Sequence, residues 1–246
     1  MNGALAIYRR EMLSLWVTPL AWVLMAAFLV LQGLSFHLTL SHFANYPDVA
    51  FQGGPIQAYF GQSMFMPLSI LLVAPALTMR TFAEERRSGT LEALLTAPVT
   101  AAGVVAGKYL ASLSTYVLLW LPTILYVVIL RDTGHIDWAV VGASYLAVLG
   151  IGAAYLAIGT LMSALTRSQL TALMLSFFAL FGSLIAGIGE FVFPPGLLQE
   201  LCAHVSVIGQ IEEMSRGVVD SRRLVFDATL VLLPLLLTTR VVEVWR

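Results

Sequence analysis

The sequence contains few charged residues. Lys, Arg, Asp and Glu make up 11% of its 246 residues, whereas hydrophobic residues make up 59% and the mean hydropathy is +0.88. A soluble domain carries about a quarter charged residues, with which it covers its surface. So few charges are tolerated only where lipid replaces water over much of that surface. The composition therefore excludes an ordinary soluble domain and predicts membrane lipid as a partner.

Other shortages exclude further classes of protein. The net charge of −1 leaves no basic excess, so we expect no nucleic-acid partner. The lone cysteine, Cys202, can form neither an internal disulfide nor a two-thiolate metal site. No two histidines have the i, i+4 spacing of a helical zinc site; they are His37, His42, His135 and His204. We expect no metal site and no catalytic residue.

The sequence also has no complete phosphate-binding loop. Such a loop reads G-x-x-x-x-G-K-[ST], whereas residues 103–109 read GVVAGKY, one residue short and without the hydroxyl that ligates Mg²⁺. We interpret this stretch as the membrane entry of a span, with Lys108 at the interface. The chain is therefore not expected to be an enzyme or to bind a cofactor; any ATP and Mg²⁺ would be bound by a partner ATPase.

Long apolar runs are what the sequence does contain. A span needs roughly 20 mostly apolar residues, and we place six, at 17–38, 59–79, 109–130, 138–163, 170–189 and 224–239. Spans one to five hold essentially no ionisable residue away from their ends, which disfavours an ion-coupled carrier. Asp227 interrupts the sixth, and we expect it, like Glu190, near the outer interface in contact with water. Small residues recur in spans four and five and permit close approach of helices, either within one chain or between two chains. They are Gly150, Gly152, Ala154, Gly159, Gly182, Ala186, Gly187 and Gly189.

The basic residues favour an orientation with both termini in the cytoplasm. The cytoplasmic set is then Arg9, Arg10, Arg80, Arg86, Arg87, Lys108, Arg167, Arg240 and Arg246, and the outer set is Arg131, Arg216, Arg222 and Arg223. Residues 190–223 become an extracytoplasmic segment, which we expect to be a helical hairpin that partly re-enters the membrane.

Residues 1–16 have an amphipathic pattern. On a helical wheel one face carries Leu5, Tyr8, Met12, Leu15 and Trp16, and the opposite face carries Arg10, Glu11 and Ser14. This pattern predicts a helix lying in the membrane interface before the first span.

The most polar inner segment is the hairpin 80–108. Thr81 and Glu84 match a capping box, and Gly89 then ends the helix. Thr90 can cap a second short helix on which Leu91, Leu94 and Leu95 form one apolar stripe, and Thr100 can cap the third span. Such a helix suits docking into a groove on a soluble partner, or lying on the membrane or on the chain's own spans; from the residues alone both remain open.

Residues 84–99, EERRSGTLEALLTAPV, resemble a signature of type-2 ATP-binding-cassette (ABC) exporter permeases. There, Glu-Glu-Arg/Lys-x-x-Gly-Thr-Leu-Glu-x-Leu-Leu-x-x-Pro-Val forms the cytoplasmic hairpin between spans two and three. The chain is most similar to permeases grouped with gliding-motility and multicopper-enzyme-maturation systems. Two further features match the pattern of this family: the opening Tyr8-Arg9-Arg10-Glu11 before Pro19, and SRGVVD at 215–220. The 84–98 block alone is strongly specific.

The resemblance implies a single transmembrane permease domain over 1–246. The implied fold is all-α, with six transmembrane helices, an N-terminal interfacial helix and a cytoplasmic coupling helix. It also implies location in the cytoplasmic (inner) membrane of a prokaryote, a separate ABC ATPase subunit, and a second copy of the permease or a related one. By residue match, ATPase coupling falls on Glu84, Glu85, Arg86, Gly89, Thr90, Leu91, Glu92, Leu94 and Leu95.

The expected function is ATP-driven export. Two alternatives remain: an ATPase-driven mechanotransmission or scaffold subunit that acts on an extracytoplasmic partner, and an ATP-independent channel or carrier. The apolar spans do not identify a substrate.

Overall fold

The computed structural model describes residues 3–45, 54–89, 99–131 and 136–245. Within these ranges the chain is helical and contains no strand. Six helical segments among the described residues are long and apolar enough to cross a membrane. The predicted all-α integral membrane fold with six spans is therefore confirmed.

The helices are numbered in chain order. They are α1 (Gly3–Val17), α2 (Pro19–Asn45), α3 (Pro55–Gln57), α4 (Phe65–Thr78), α5 (Ala83–Ser88), α6 (Ala101–Trp120), α7 (Ile124–Arg131), α8 (Trp138–Leu165), α9 (Gln169–Val192), α10 (Leu197–Val205), α11 (Val207–Ser215) and α12 (Ser221–Val244). The six spans are α2, α4 continued by α5, α6 continued by α7, α8, α9 and α12.

The helices differ in extent from the runs read off the sequence. The helix of the second span begins at Phe65, because residues 55–62 form a separate short helix and a π-turn. The hydroxyls of Ser63 and Ser35 lie 2.6 Å apart and join this break to α2. The sixth helix is longer than its apolar run, since it continues through Pro234, whose carbonyl accepts a hydrogen bond from the Thr238 hydroxyl at 2.7 Å.

Helix α8 lies at the centre of the bundle, where it contacts α4, α6, α9, α11 and α12. Its small residues allow these approaches. A methyl group added at Gly152 would overlap the ring of Tyr116 on α6, and one added at Gly159 would overlap Thr78 at the end of α4. The small residues of α8 therefore pack within the chain, whereas a methyl group added at Gly182 on α9 would meet no other described part of the chain within 4 Å.

A buried polar contact joins the first two spans. Gln32 on α2 is fully buried, and its Nε2 donates to the Ser69 hydroxyl on α4 at 2.9 Å. The Tyr59 hydroxyl donates to Gln32 Oε1 at 3.1 Å. This contact was not predicted, because a single glutamine in an apolar run does not reveal its partners.

Helix α1 packs along the first half of α6. Ile7 is buried there, and the Tyr8 hydroxyl donates to Ser114 at 3.1 Å. A Cβ added at Gly107 would lie only 2.8 Å from the carbonyl oxygen of Ala4, so this approach requires glycine. The helical wheel was wrong about Glu11, which faces the protein and contacts α6.

The segment between the last two spans contains two short helices, α10 and α11. Helix α10 packs on α9, and α11 packs on α8 and on the π-turn at 58–62. Helix α11 has several buried residues, including Gln210, Ile211 and Met214, whereas α10 has no buried residue. These two helices, which are joined at Ser206 and are called the α10–α11 hairpin below, cover α9 and α8 at one end of the bundle.

Candidate functional site

Helix α5, which carries the Glu-Glu-Arg sequence, is attached at its start to the central helix. The backbone amides of Phe82 and Ala83 donate to the hydroxyl of Ser163 on α8 at 3.1 and 3.2 Å. That hydroxyl in turn donates to the Met79 carbonyl at 3.2 Å. The predicted capping box is wrong: Phe82 is the N-cap, and no side chain of α5's own turn caps it. Ser163 supplies the acceptor that Thr81 was expected to supply.

Glu85 belongs to a buried ion network. Its side chain is 10% exposed, and its Oε1 lies 3.0 Å from Lys108 Nζ on α6. The same ammonium lies 2.9 Å from Glu11 Oε1 on α1, and its side chain is 1% exposed. Arg10 approaches Glu85 from the surface at 3.5 Å. Lys108, expected at the membrane interface, is enclosed by the protein, and two carboxylates offset the cost of burying its charge.

Arg86 connects α5 to the ends of two spans. Its Nη1 donates to the carbonyls of Ala164 and Thr166, at the end of α8, at 2.8 and 3.4 Å. Its guanidinium also lies 4.3 Å from the ring centroid of Trp245, which follows α12. Arginine stacked on tryptophan is a favourable cation–π contact. An apolar layer of Phe82, Val104, Ala164 and Val242 lies in the same region.

The remaining predicted coupling residues point outward or lie outside the described ranges. Glu84 is exposed, and Gly89 is exposed with φ of +71°, a left-handed conformation that suits glycine at the end of α5. Thr90, Leu91, Glu92, Leu94 and Leu95 lie outside the described residues. Within the predicted set, the structure thus separates inward-facing Glu85 and Arg86 from outward-facing Glu84 and Gly89.

Several residues at this site were not found from the sequence. Lys108, Glu11, Ser163 and Trp245 all contact the α5 segment or its partners. One signal was available, because Lys108 is a single charge within an otherwise apolar stretch. Its pairing with Glu11 could not be predicted, since the two residues are 97 positions apart.

A second polar cluster lies at the opposite end of α12. Arg223 makes two hydrogen bonds to the Glu213 carboxylate on α11, at 2.7 and 2.8 Å, and a third to the Ala203 carbonyl on α10 at 2.9 Å. Asp227 Oδ2 accepts a hydrogen bond from Gln210 at 2.6 Å. The expectation that Asp227 is in contact with water is wrong: it is 6% exposed, because α11 covers it.

Glu190 also differs from its expected environment. Its Oε2 is buried and has no hydrogen-bond partner within the described part of the chain. It lies beside Gly209 at the start of α11, where a Cβ would meet it at 2.7 Å. Together with Asp227 and Arg223, it places ionisable groups under the α10–α11 hairpin.

The fold and these two sites define a membrane protein with several spans. At one end is the charged junction of α4 with α5 (residues 79–88), here called the elbow, and at the other is the α10–α11 hairpin. A family model described as ABC-2 family transporter protein matches residues 36–203, about two thirds of the chain. The chain belongs to this family and is a permease subunit of an ABC transporter, for which the family implies an ABC ATPase partner. No curated protein matches the chain.

Proposed function

We propose that this chain is the permease of an ABC exporter and couples ATP hydrolysis by a separate ATPase subunit to outward movement of a substrate. The observation that carries the proposal is the attachment of α5. Through Ser163, Lys108, Arg86 and Trp245, this six-residue helix contacts α8, α6 and α12 and is linked to α1. A force applied where the chain leaves α5 at Gly89 would therefore act on several spans together.

The proposed docking element is the segment 90–96 that follows Gly89. Its leucines Leu91, Leu94 and Leu95 have the i, i+3, i+4 spacing of one helical face, which suits a groove on a soluble protein. We assign Glu84 and Gly89, both exposed, to the same contact surface. Glu85 and Arg86 transmit the motion inward, because their partners belong to the bundle.

The mechanism has three steps. ATP closes a dimer of ATPase subunits, the segment 90–96 moves with it as a rigid lever, and the spans then reorient to release substrate outward. The coupling requires that ATP binding favour one conformation of the permease over another. A second permease, identical or related, would complete a two-fold pathway. We place the chain in the cytoplasmic membrane of a prokaryote with both termini inside, and the resemblance favours the gliding-motility and multicopper-maturation group.

Co-purification tests the assignment. The tagged chain is isolated from membranes, and bound soluble subunits are identified by mass spectrometry and assayed for ATP hydrolysis. We expect an ATPase with a complete phosphate-binding loop, and we expect its loss when Leu91, Leu94 and Leu95 are all replaced by Asp. Retention of an active ATPase by that variant would show that the docking element is elsewhere.

The matched control places three aspartates at Leu197, Leu198 and Leu201 on α10, all well exposed. This triple variant should retain the ATPase, provided that both variants reach the membrane in equal amounts. Sidedness is tested with Ser88→Cys in a Cys202→Ser background, using an impermeant thiol reagent on sealed cells and on inverted vesicles. Labelling of residue 88 from the outside would overturn the proposal.

A second candidate function is mechanotransmission without solute transport. It is favoured by α12, because one end of this helix contacts Arg86 and the other holds the α10–α11 hairpin. A large extracytoplasmic partner that co-purifies with the chain, together with ATP-driven motion of the hairpin and no transported solute, would favour this function over export.

A further inference from the structure

A polar cavity of about 230 Å³ lies between α1, the α4–α5 elbow and α6. Its walls include Arg10, Ser14, Arg80, Glu84, Glu85 and Ser112. The volume is far more than a single buried water requires. Thr18, next to the start of the first span, and Leu77, near the end of α4, also line it, so the cavity lies beside the start of the first span and the junction of α4 with α5. In a membrane this is the headgroup region.

Two residues of the cavity wall each carry a buried polar atom that has no hydrogen-bond partner in the described part of the chain. These atoms are Oε2 of Glu85, a residue that is 8% exposed, and Nε of Arg80. Buried polar atoms in proteins are nearly always hydrogen-bonded, because leaving them unpaired is costly. One is an acceptor carrying negative charge, and the other is a donor carrying positive charge.

These two groups do not satisfy each other, and the neighbouring charges are already engaged. Lys108 Nζ contacts both Glu11 and the other oxygen of Glu85. The groups that remain available are the guanidinium of Arg80 and Oε2 of Glu85. Arg10, which also approaches the other oxygen of Glu85 at 3.5 Å, and Glu84 lie on the same wall. The cavity therefore offers a cationic side and an anionic side to one ligand.

We propose that this cavity binds the headgroup of a phospholipid that carries a primary ammonium group, such as phosphatidylethanolamine. The phosphate accepts hydrogen bonds from Arg80 and Arg10, and the ammonium donates to Glu85 Oε2. A phosphate suits guanidinium donors, and a primary ammonium has the N–H donors that a buried carboxylate oxygen needs. A choline headgroup lacks those N–H donors, and a glycerol headgroup lacks the positive charge.

A membrane lipid is the favoured source of this headgroup because of where the cavity lies. Helix α1 forms one wall and leads directly into the first span, and near that junction Leu13 and Val17 are exposed apolar residues on which acyl chains can lie. A water-soluble headgroup has no acyl chains and would not contact this apolar surface. The bound lipid would connect α1 to the α5 elbow, beside the ion network of Glu11, Lys108 and Glu85.

The test measures lipid retention by the purified full chain in detergent, by native mass spectrometry. Phosphatidylethanolamine, phosphatidylcholine and phosphatidylglycerol with identical acyl chains are added at equal concentration. We expect phosphatidylethanolamine to bind about tenfold more tightly than either of the others. Arg80→Gln should remove this preference, whereas Arg9→Gln, an exposed α1 arginine outside the cavity, should leave it unchanged.

Three results would overturn the proposal. Equal retention of the three lipids would show that the cavity does not select a headgroup. Equal binding of the ethanolamine and glycerol lipids, both reduced by Arg80→Gln, would show a phosphate site without an ammonium subsite. Full competition by water-soluble glycerophosphoethanolamine would show that the acyl chains do not matter and that the source is a free headgroup.

If Arg80→Gln fails to elute as a monodisperse species, the double variant Arg10→Gln, Glu84→Gln replaces it, since Arg10 and Glu84 are at the surface. It should reduce the ethanolamine preference, and an unchanged preference would count against the site. None of these measurements involves the ATPase, so the lipid site and the proposed transport function can fail independently.

Discussion

At the residue scale, the two adjacent glutamates of α5 have different environments. Glu84 is exposed, whereas Glu85 is buried against Lys108. The sequence motif assigned both to the same contact with the ATPase. It could not separate them, because the direction of each side chain depends on α1 and α6, which belong to distant parts of the chain. Arg86 illustrates the same point, since its partners are two backbone carbonyls and a tryptophan at the ends of α8 and α12.

The glutamate pair supports a direct prediction. Glu85→Gln removes one of the two carboxylates that pair with buried Lys108, so we expect it to lower stability by about 2–3 kcal/mol, less than the full cost of a broken buried ion pair because Glu11 remains. Glu84→Gln should leave stability unchanged. Thermal unfolding in detergent, followed by circular dichroism, measures both. Equal melting temperatures for the two variants would place Glu85 outside any buried network.

The same pair separates folding from docking. In the co-purification assay, Glu84→Gln should weaken ATPase binding without altering the melting temperature, because Glu84 faces outward. Glu85→Gln should lower the melting temperature but leave ATPase binding unchanged at temperatures where the variant stays folded. If Glu84→Gln retains the ATPase as well as the wild type does, Glu84 is not part of the docking surface.

At the element scale, α1 shows what periodicity can and cannot predict. The wheel placed Tyr8, Met12 and Leu15 on one face, and these residues are at least partly buried, whereas Leu5 of the same predicted face is exposed. It placed Glu11 opposite, because it ranks residues by hydrophobicity alone. A carboxylate on an inward face is stable here only because Lys108 lies beneath it. Charge pairing across helices thus overrides the pattern of a single helix.

The packing of α1 on α6 can be tested by replacing Gly107. Gly107→Ala forces a methyl group to within 2.8 Å of the Ala4 carbonyl oxygen, so α1 must shift. Overpacking of this kind costs about 1–3 kcal/mol, and we expect trypsin to cleave at the exposed Arg9 and Arg10 about tenfold faster. Gly142→Ala on α8, where the added methyl group meets no described atom beyond its own helix within 4 Å, is the control. Equal cleavage rates would show that α1 does not depend on this contact.

The α10–α11 hairpin offers a second test at this scale. Arg223 is buried and bonds both helices of the hairpin, whereas its neighbour Arg222 is exposed. Arg223→Gln should release the hairpin, because it breaks the paired bonds to Glu213. The only thiol in the sequence, Cys202, lies on α10 against Gly189 and reports the release by reacting at least several-fold faster with a thiol reagent. The Arg222→Gln variant should react at the wild-type rate; a similar increase in both variants would contradict the assignment of Arg223.

At the scale of the whole molecule, the sequence predicted the class of fold but not its arrangement. Apolar run length gave six spans, because the thickness of the bilayer sets that length. It did not identify α8 as the central helix, nor the partners of its glycines, such as Tyr116 for Gly152. It also missed that Asp227 is covered by α11, which lies in the segment expected to be extracytoplasmic. Packing partners distant in the chain are absent from a local pattern.

Helix α12 connects the two ends of the molecule and, under the proposed coupling to an ATPase, transmits motion between them. Helix α12 is in contact with Arg86 through Trp245 at one end, and with the α10–α11 hairpin through Arg223 at the other. A continuous helix with both contacts can carry a displacement of the elbow to the hairpin. In the complex with the ATPase, a spin label on Cys202 should therefore change mobility on addition of ATP. In Trp245→Ala that response should be lost while the ATPase stays bound and active, whereas Trp22→Ala, an exposed tryptophan on α2, should keep it. A response that survives Trp245→Ala would mean that the two ends of the molecule are connected by helices other than α12.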